Sequence, residues 1–254
     1  MSAGAVLTGN PGLPTVVLVH GLAGSHRAWD RVVPKLEYVT RIVAVELDSS
    51  GSIGDDAGDV AALLDTRTVV VGHSRGGLVA TALAERRPDL VCAFVLLCPP
   101  WSRAARLTAR GPVERALAMP GVGELMWALA SGEQQRTAQR SAFAPGATVP
   151  DQFITDARTR GRRNFVRSSR AIDSYLGARP LADRLRNLPI PTELVFGHLD
   201  ARLALPTDEF ADLGHVRTTV LTGTGHTPQW EAPDEVGDLI TRITGIPRSE
   251  GESR

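Results

Sequence analysis

The stretch Val69–Gly77, "VVVGHSRGG", sets a β-branched apolar run against a turn of small residues. The run has the length and character of a strand buried on both faces. The residues after it, "GGLVATALAERR", carry a helical pattern as far as Pro88. Gly72-His73-Ser74-Arg75-Gly76 thus lies between a strand and a helix and fits Gly-x-Ser-x-Gly. In such a turn the serine is strained, its Oγ is pushed into solvent, and a side chain at position 72 or 76 would collide with the neighbouring backbone. Close helix packing also favours small residues, so the pentapeptide by itself leaves a nucleophile and a tight corner both open.

Five further apolar runs have strand length: "TVVLV" from Thr15, "IVAVEL" from Ile42, "VCAFVLL" from Val91, "TELVFG" from Thr192 and "TTVLTG" from Thr218. Helical patterns lie between the early ones, with Ser25 placed to cap "HRAWDRVVPKL" and Asp55 and Asp56 to open "AGDVAALLD". This alternation predicts an α/β protein with a doubly wound, mostly parallel sheet. It stops after Pro99-Pro100 and resumes at Pro191. Residues 101–190 read as helices without a strand, so the expected organisation is a core of 1–100 and 191–254 carrying a helical cap of 101–190. No internal repeat is found, and "PRSEGESR" at the end reads as a frayed polar tail.

Composition narrows the function classes. The 254 residues carry 28 basic and 28 acidic side chains, with Lys35 the only lysine. A net charge of zero speaks against nucleic acid as a general partner. Cys92 and Cys98 fall in one strand, roughly 20 Å apart at strand rise, which is beyond disulfide reach. Two unpaired thiols fit a reducing compartment. The N-terminus shows no secretion signal and no segment is long and apolar enough to span a bilayer. A cytoplasmic protein without a membrane partner is expected.

A nucleophilic serine needs a base, and the base needs an orienting carboxylate. "VFGHLD" places Asp200 just past the end of one strand, and "LTGTGHTPQWEAPDEV" places His226 just past the next. Residues beyond the carboxyl ends of parallel strands gather on one edge of the sheet, so Ser74, Asp200 and His226 are expected to meet there. Alone, Asp200 would be a turn aspartate and His226 a solvated loop residue; their shared placement favours catalysis. The oxyanion needs backbone donors, for which the N–H of Arg75 at the helix start and that of Leu22 in "HGLAGS" are the candidates. His20 and His73 flank this site as scaffold residues. "GNPGLP" and "GTGHTP" match no phosphate-binding fingerprint and no Cys/His spacing suggests a metal, so neither metal nor cofactor is expected.

"VLVHGLAGSHRAWD", "GHSRGG", "FGHLD" and "GTGHTPQWEAPDE" together resemble the α/β-hydrolase fold family, in its bacterial esterase, lactonase and thioesterase branch. The resemblance implies Ser74 as nucleophile, Asp200 as acid and His226 as base, with Leu22 and Arg75 lending backbone amides. It implies hydrolysis of an ester, lactone or thioester of a small or medium acyl substrate through an acyl-enzyme. The same three residues also serve lyases, C–C hydrolases and acyltransferases on this fold, and some members are non-catalytic receptors. This chain departs from the pattern in three ways. The leading antiparallel hairpin is shortened or lost, and a short segment after "ELDSSGS" should open the site near residues 48–55. Arg75 follows the nucleophile, where its side chain is expected to find a partner at the helix start.

The cap carries the remaining signal. Residues 101–190 hold 15 Arg against 7 acidic residues, while the rest of the chain is acidic by the same margin. Either the two parts attract each other, or arginines such as Arg162 and Arg163 recognise an anionic group on the substrate or on a carrier that bears it. Trp101, Met126 and Trp127, with Met119, are the candidates for an acyl pocket, although core packing accounts for them equally well. Oligomeric state leaves no signal in the sequence.

Overall fold

The computed structural model describes residues 4–245 except 50 and 110; the polar tail expected from Pro247 onward lies outside the described residues. Seven strands form one sheet in the order β1-β3-β2-β4-β5-β6-β7: β1 (Gly4–Thr8), β2 (Thr15–Val19), β3 (Arg41–Glu46), β4 (Thr68–His73), β5 (Val91–Leu97), β6 (Thr192–Gly197) and β7 (Val216–Leu221). Every neighbouring pair is parallel except β1 with β3. Among the described residues, β1 stands in place of a leading hairpin, a five-residue edge strand with no buried residue.

The helices cover both faces, as double winding requires. On one side α2 (Ile53–Ala61) and α3 (Arg75–Arg86) pack on Val17, Val19, Val43, Val45 and Val70. On the other, Trp29 and the helix Pro233–Ile243 pack on Val16, Leu18, Ile42, Ala44, Val69 and Val71. The alternation of numbers is the strand period of two, with both faces apolar because both are covered. The segment after Ser25 is less regular than its pattern suggests. Ser25 Oγ does accept from the Arg27 N–H, at 3.2 Å, but the helix is a 3₁₀ turn over His26–Trp29 followed by α1 (Val33–Leu36). Pro34, at the start of α1, has no N–H to carry a continuous helix through. In α2 the cap is Ser52, in a capping box with Asp55, so the helix begins two residues before the aspartates.

Between β5 and β6 the chain forms α4 (Pro112–Ala118), α5 (Val122–Leu129), α6 (Gly132–Arg140), α7 (Asp151–Ala178) and α8 (Leu181–Arg186), with no strand among the described residues. α7 breaks at Gly161, whose φ is 76°. Its first part and the kink lie across the loops that follow β2 and β3: Ser25 Oγ donates to Asp156 Oδ2 at 2.6 Å and Arg160 Nε to Gly24 O at 3.0 Å. Beyond the kink, Asn164 donates to Asp48 O, and Ser168 Oγ to Ser49 O at 2.7 Å. At the edge near residues 48–55, α7 thus bonds the backbone of Asp48 and Ser49, while the side chains of Asp48, Ser52 and Asp55 stay exposed. α8 lies lower, where Leu181 and Leu185 join the core cluster that contains α3.

Candidate active site

Strand order fixes where the site forms. β2 and β4 are neighbours whose onward connections leave in opposite directions, so a crevice opens between their carboxyl ends. Leu22 follows β2 and Ser74 follows β4. Ser74 has φ 50° and ψ −116°, a strained conformation for a residue with a side chain. Its surroundings enforce it. The Ser74 N–H donates to Leu97 O at 2.7 Å, a Cβ on Gly72 would sit 2.5 Å from Gly76 O, and one on Gly76 would land on Val19 O.

Ser74, His226 and Asp200 come together in one hydrogen-bonded chain. His226 Nε2 lies 3.0 Å from Ser74 Oγ, and His226 Nδ1 lies 2.6 Å from Asp200 Oδ2. Asp200 Oδ1 accepts from the N–H groups of Arg202 at 2.7 Å and Leu203 at 3.1 Å. Burial opposes ionisation of Asp200, but the charge and hydrogen bond of His226, with these two N–H donors, hold its carboxyl below the usual range. The N–H groups of Leu22 and Arg75 have no acceptor among the described residues, which leaves both available to an oxyanion.

The flanking groups are scaffold. Leu47 N–H donates to His20 Nε2 at 3.1 Å, so His20 Nδ1–H donates to Gly21 O at 2.8 Å. His73 Nε2–H donates to His226 O at 2.7 Å. Burial pulls both imidazoles down to about 3, so they stay neutral. The Arg75 side chain turns away from the cavity, paired with buried Asp56 and donating to Ser49 Oγ at 3.1 Å. Glu231, which the sequence reading missed, accepts from Gly225 N at 3.0 Å and from Ala144 N at 2.6 Å, tying the His226 loop to the helical segment. The spacing of "GHTPQWE" was its only signal.

Cys98, Asp200 and His226 offer ligand atoms within 4.8 Å of one another, the one group of this kind among the described residues. Asp200 and His226 bond each other, however, and burial pushes the Cys98 thiol well above its usual range, away from the thiolate that a metal needs. Asp200 and His226 form a hydrogen-bonded pair and the Cys98 thiol donates to Gly225 O at 3.9 Å, which is not an open ligand shell.

A cavity of about 410 Å³ opens over Ser74, His226 and Leu22. Trp127 lines it, together with Val113 and Leu117 of α4 and Phe165 of α7. Trp101 does not: it packs on the core cluster and its Nε1–H donates to Ala204 O at 2.8 Å. Met126 does not line it and is 38% exposed, because α5 carries apolar residues on more than one side and only one side can meet the cavity; Met119, at the end of α4, is 53% exposed and does not line it either. The basic residues divide. Arg162 pairs with Glu124 and donates to Leu117 O at 2.7 Å, and Arg160 pairs with Glu46, so both fasten the helical segment. Arg163, Arg167 and Arg170 are exposed on α7. Among the described residues no helix is long and apolar enough to cross a membrane.

Comparison with known proteins supplies the family. Residues 16–239 match the alpha/beta hydrolase family, and the chain belongs to it. A pimeloyl-[acyl-carrier protein] methyl ester esterase of Neisseria meningitidis serogroup C is 30% identical over 199 residues, 73% of this chain and 75% of that protein. Lipase LipV of Mycobacterium tuberculosis is 39% identical over 103 residues, 36% of this chain and 39% of its own. Among solved structures, a putative ancestral haloalkane dehalogenase superposes with a TM-score of 0.75 at 20% identity, covering 96% of both chains. At that identity the likeness is one of fold.

Proposed function

We propose that this member of the alpha/beta hydrolase family hydrolyses a carboxylic ester through an acyl-enzyme on Ser74. The observation that carries the reading is the chain from Ser74 Oγ through His226 to Asp200, at 3.0 and 2.6 Å, built on a strained serine. Neutral His226 takes the Ser74 proton at Nε2 as Oγ attacks the ester carbonyl. Asp200 stays ionised, holds Nδ1–H and stabilises the imidazolium. The N–H groups of Leu22 and Arg75 receive the oxyanion. The imidazolium then protonates the leaving alcohol, and a water deprotonated by His226 releases the acid and restores Ser74.

Esters are favoured over lactones and thioesters because the relatives aligned over most of the chain are named methyl ester esterases. The scissile ester of such a substrate sits on an acyl chain that is free or linked to a carrier. Residues 101–190 act as the cap that shapes its cavity, and the free thiols of Cys92 and Cys98 suit the cytoplasm. A receptor would need neither a strained serine nor a base within hydrogen-bond distance of it. Stopped-flow hydrolysis of a p-nitrophenyl ester tests the reading: a burst of one nitrophenolate per chain is expected, and absence of both burst and turnover would remove it.

A further inference from the structure

One polar feature of the cavity has no part in acyl transfer. Arg202 lies two residues beyond Asp200 and lines the same cavity. Its Nε donates to Ser141 Oγ at 3.0 Å, and its Nη2 donates to Ala138 O at 3.2 Å and to Gln139 Oε1 at 3.0 Å. All three acceptors are neutral, and Arg202 forms no ion pair among the described residues. The nearby Asp200 carboxylate is already taken by His226 and by two backbone N–H groups. Burial lowers Arg202 only to about 10, so it remains a cation at neutral pH. Arg202 is half-buried, its hydrogen-bond acceptors are neutral and Asp200 acts on it only through space, so an anion that enters the cavity would give its charge a direct partner.

Two donors are left over. Arg202 Nη1 has no partner among the described residues, yet it is absent from the atoms sealed off from solvent. Gln139 also lines the cavity. Its Oε1 is held by Arg202, which turns the amide so that Nε2 is free to donate. A guanidinium N–H and an amide N–H on two hydrogen-bonded residues that line one cavity suit a carboxylate.

We propose that Arg202 and Gln139 form a subsite for a carboxylate on the ester substrate, remote from the bond that is cleaved. The inference rests on the ester-hydrolase reading, and it deepens that reading by naming the substrate class. Two positions on the substrate can supply the charge: the acyl part, as in a monoester of a dicarboxylic acid, or the alcohol part, as in an acetylated hydroxy acid.

The test is a matched series. Monomethyl dicarboxylates of increasing length, methyl alkanoates and ω-hydroxy methyl esters of equal length, and O-acetyl hydroxy acids are compared by kcat/KM. One carboxylate series should exceed its neutral match roughly tenfold, the scale of one charge-assisted hydrogen bond, and which series does so locates the charge. Arg202→Met should reduce the preference to near unity. Gln139→Glu, which sets a carboxylate against Arg202 while keeping the guanidinium, should do the same even if the first variant folds poorly. Equal rates on charged and neutral esters, a preference for the hydroxyl end, or a preference that survives both substitutions would each overturn the subsite. Calorimetry with a free dicarboxylate reads it without turnover: binding weakened by Gln139→Glu is expected, and no binding to the wild type overturns it. Loss of the hydrolase reading would instead appear as no turnover of any ester while that binding persists.

Discussion

The sheet edge and the helical segment above it are built on opposite terms. Under Ser74 the strands β2, β4 and β5 hold apolar residues that are almost wholly buried, each worth about 1.5–3 kcal/mol of burial. In the segment, α4 and α6 bury no residue and α5 buries only Gly123. Leu125 and Leu129 are 60% and 72% exposed. These three helices lean on polar ties, such as those from Arg162 to Leu117 O and from Arg202 to the end of α6, while α7 and α8 anchor the segment by burying Ile172, Leu176, Leu181 and Leu185 in the core. The difference teaches where each task can reside. Atoms that must be fixed within tenths of an ångström sit on the sheet. The walls that choose a substrate sit on helices that can change without unfolding it.

That contrast breaks most visibly at the sheet edge. Ser74→Ala and His226→Ala should each lower turnover on the order of 10⁴- to 10⁶-fold, with the double variant hardly worse, because the residues act as a unit. Asp200→Asn should lower kcat by about 10⁴-fold through the wrong tautomer of His226. Thermal unfolding should be little changed in all of them. A Ser74→Ala protein with substantial activity would place the nucleophile elsewhere.

The pH profile sharpens the same point. Only a neutral His226 can accept the Ser74 proton, so kcat/KM should fall tenfold per pH unit on the acid side. His20 and His73 stay neutral down to about 3, so they add no second ionisation. A limb of two protons between pH 4 and 8 would show that the scaffold histidines titrate with the site.

Smaller effects should separate the regions by stability. Gly76→Ala sets a methyl against Val19 O, 2.7 Å from His20 O, and should cost about 3 kcal/mol, read by chemical denaturation. Arg160→Ala removes the tie to Gly24 O and Glu46. It should cost about 1.5 kcal/mol and raise KM more than it lowers kcat, since it loosens α7 from the loop that carries Leu22. At the bottom of the scale, Leu125→Ser on the outer side of α5 should change stability by less than about 0.5 kcal/mol. A larger loss there would mean that the outer side is covered.

The two regions were also unequally legible. Buried parallel strands write continuous β-branched runs, and a serine elbow tolerates nothing larger than glycine at positions 72 and 76, so Ser74, Asp200 and His226 could be aligned before any coordinates. β1 escaped because "GAVLT" is a short edge strand with one partner. In the helical segment Met126 and Trp127 are adjacent, both apolar, and only the fold decides that Trp127 meets the cavity. Arg162, open in the sequence between a charge partner within the protein and a receptor for anions, is a tie to Glu124. Arg202 sat unremarked beside Asp200, since nothing in its neighbours reveals that Ser141, Ala138 and Gln139 arrive from sixty residues away.

The most direct measurement of the central claim is intact-mass analysis after exposure to a fluorophosphonate, followed by peptide mapping. One adduct per chain, on the peptide that contains Ser74, lost in Ser74→Ala and formed far more slowly in His226→Ala, is the expected result. An unmodified protein, or an adduct on any other residue, would contradict the assignment of Ser74 as the nucleophile.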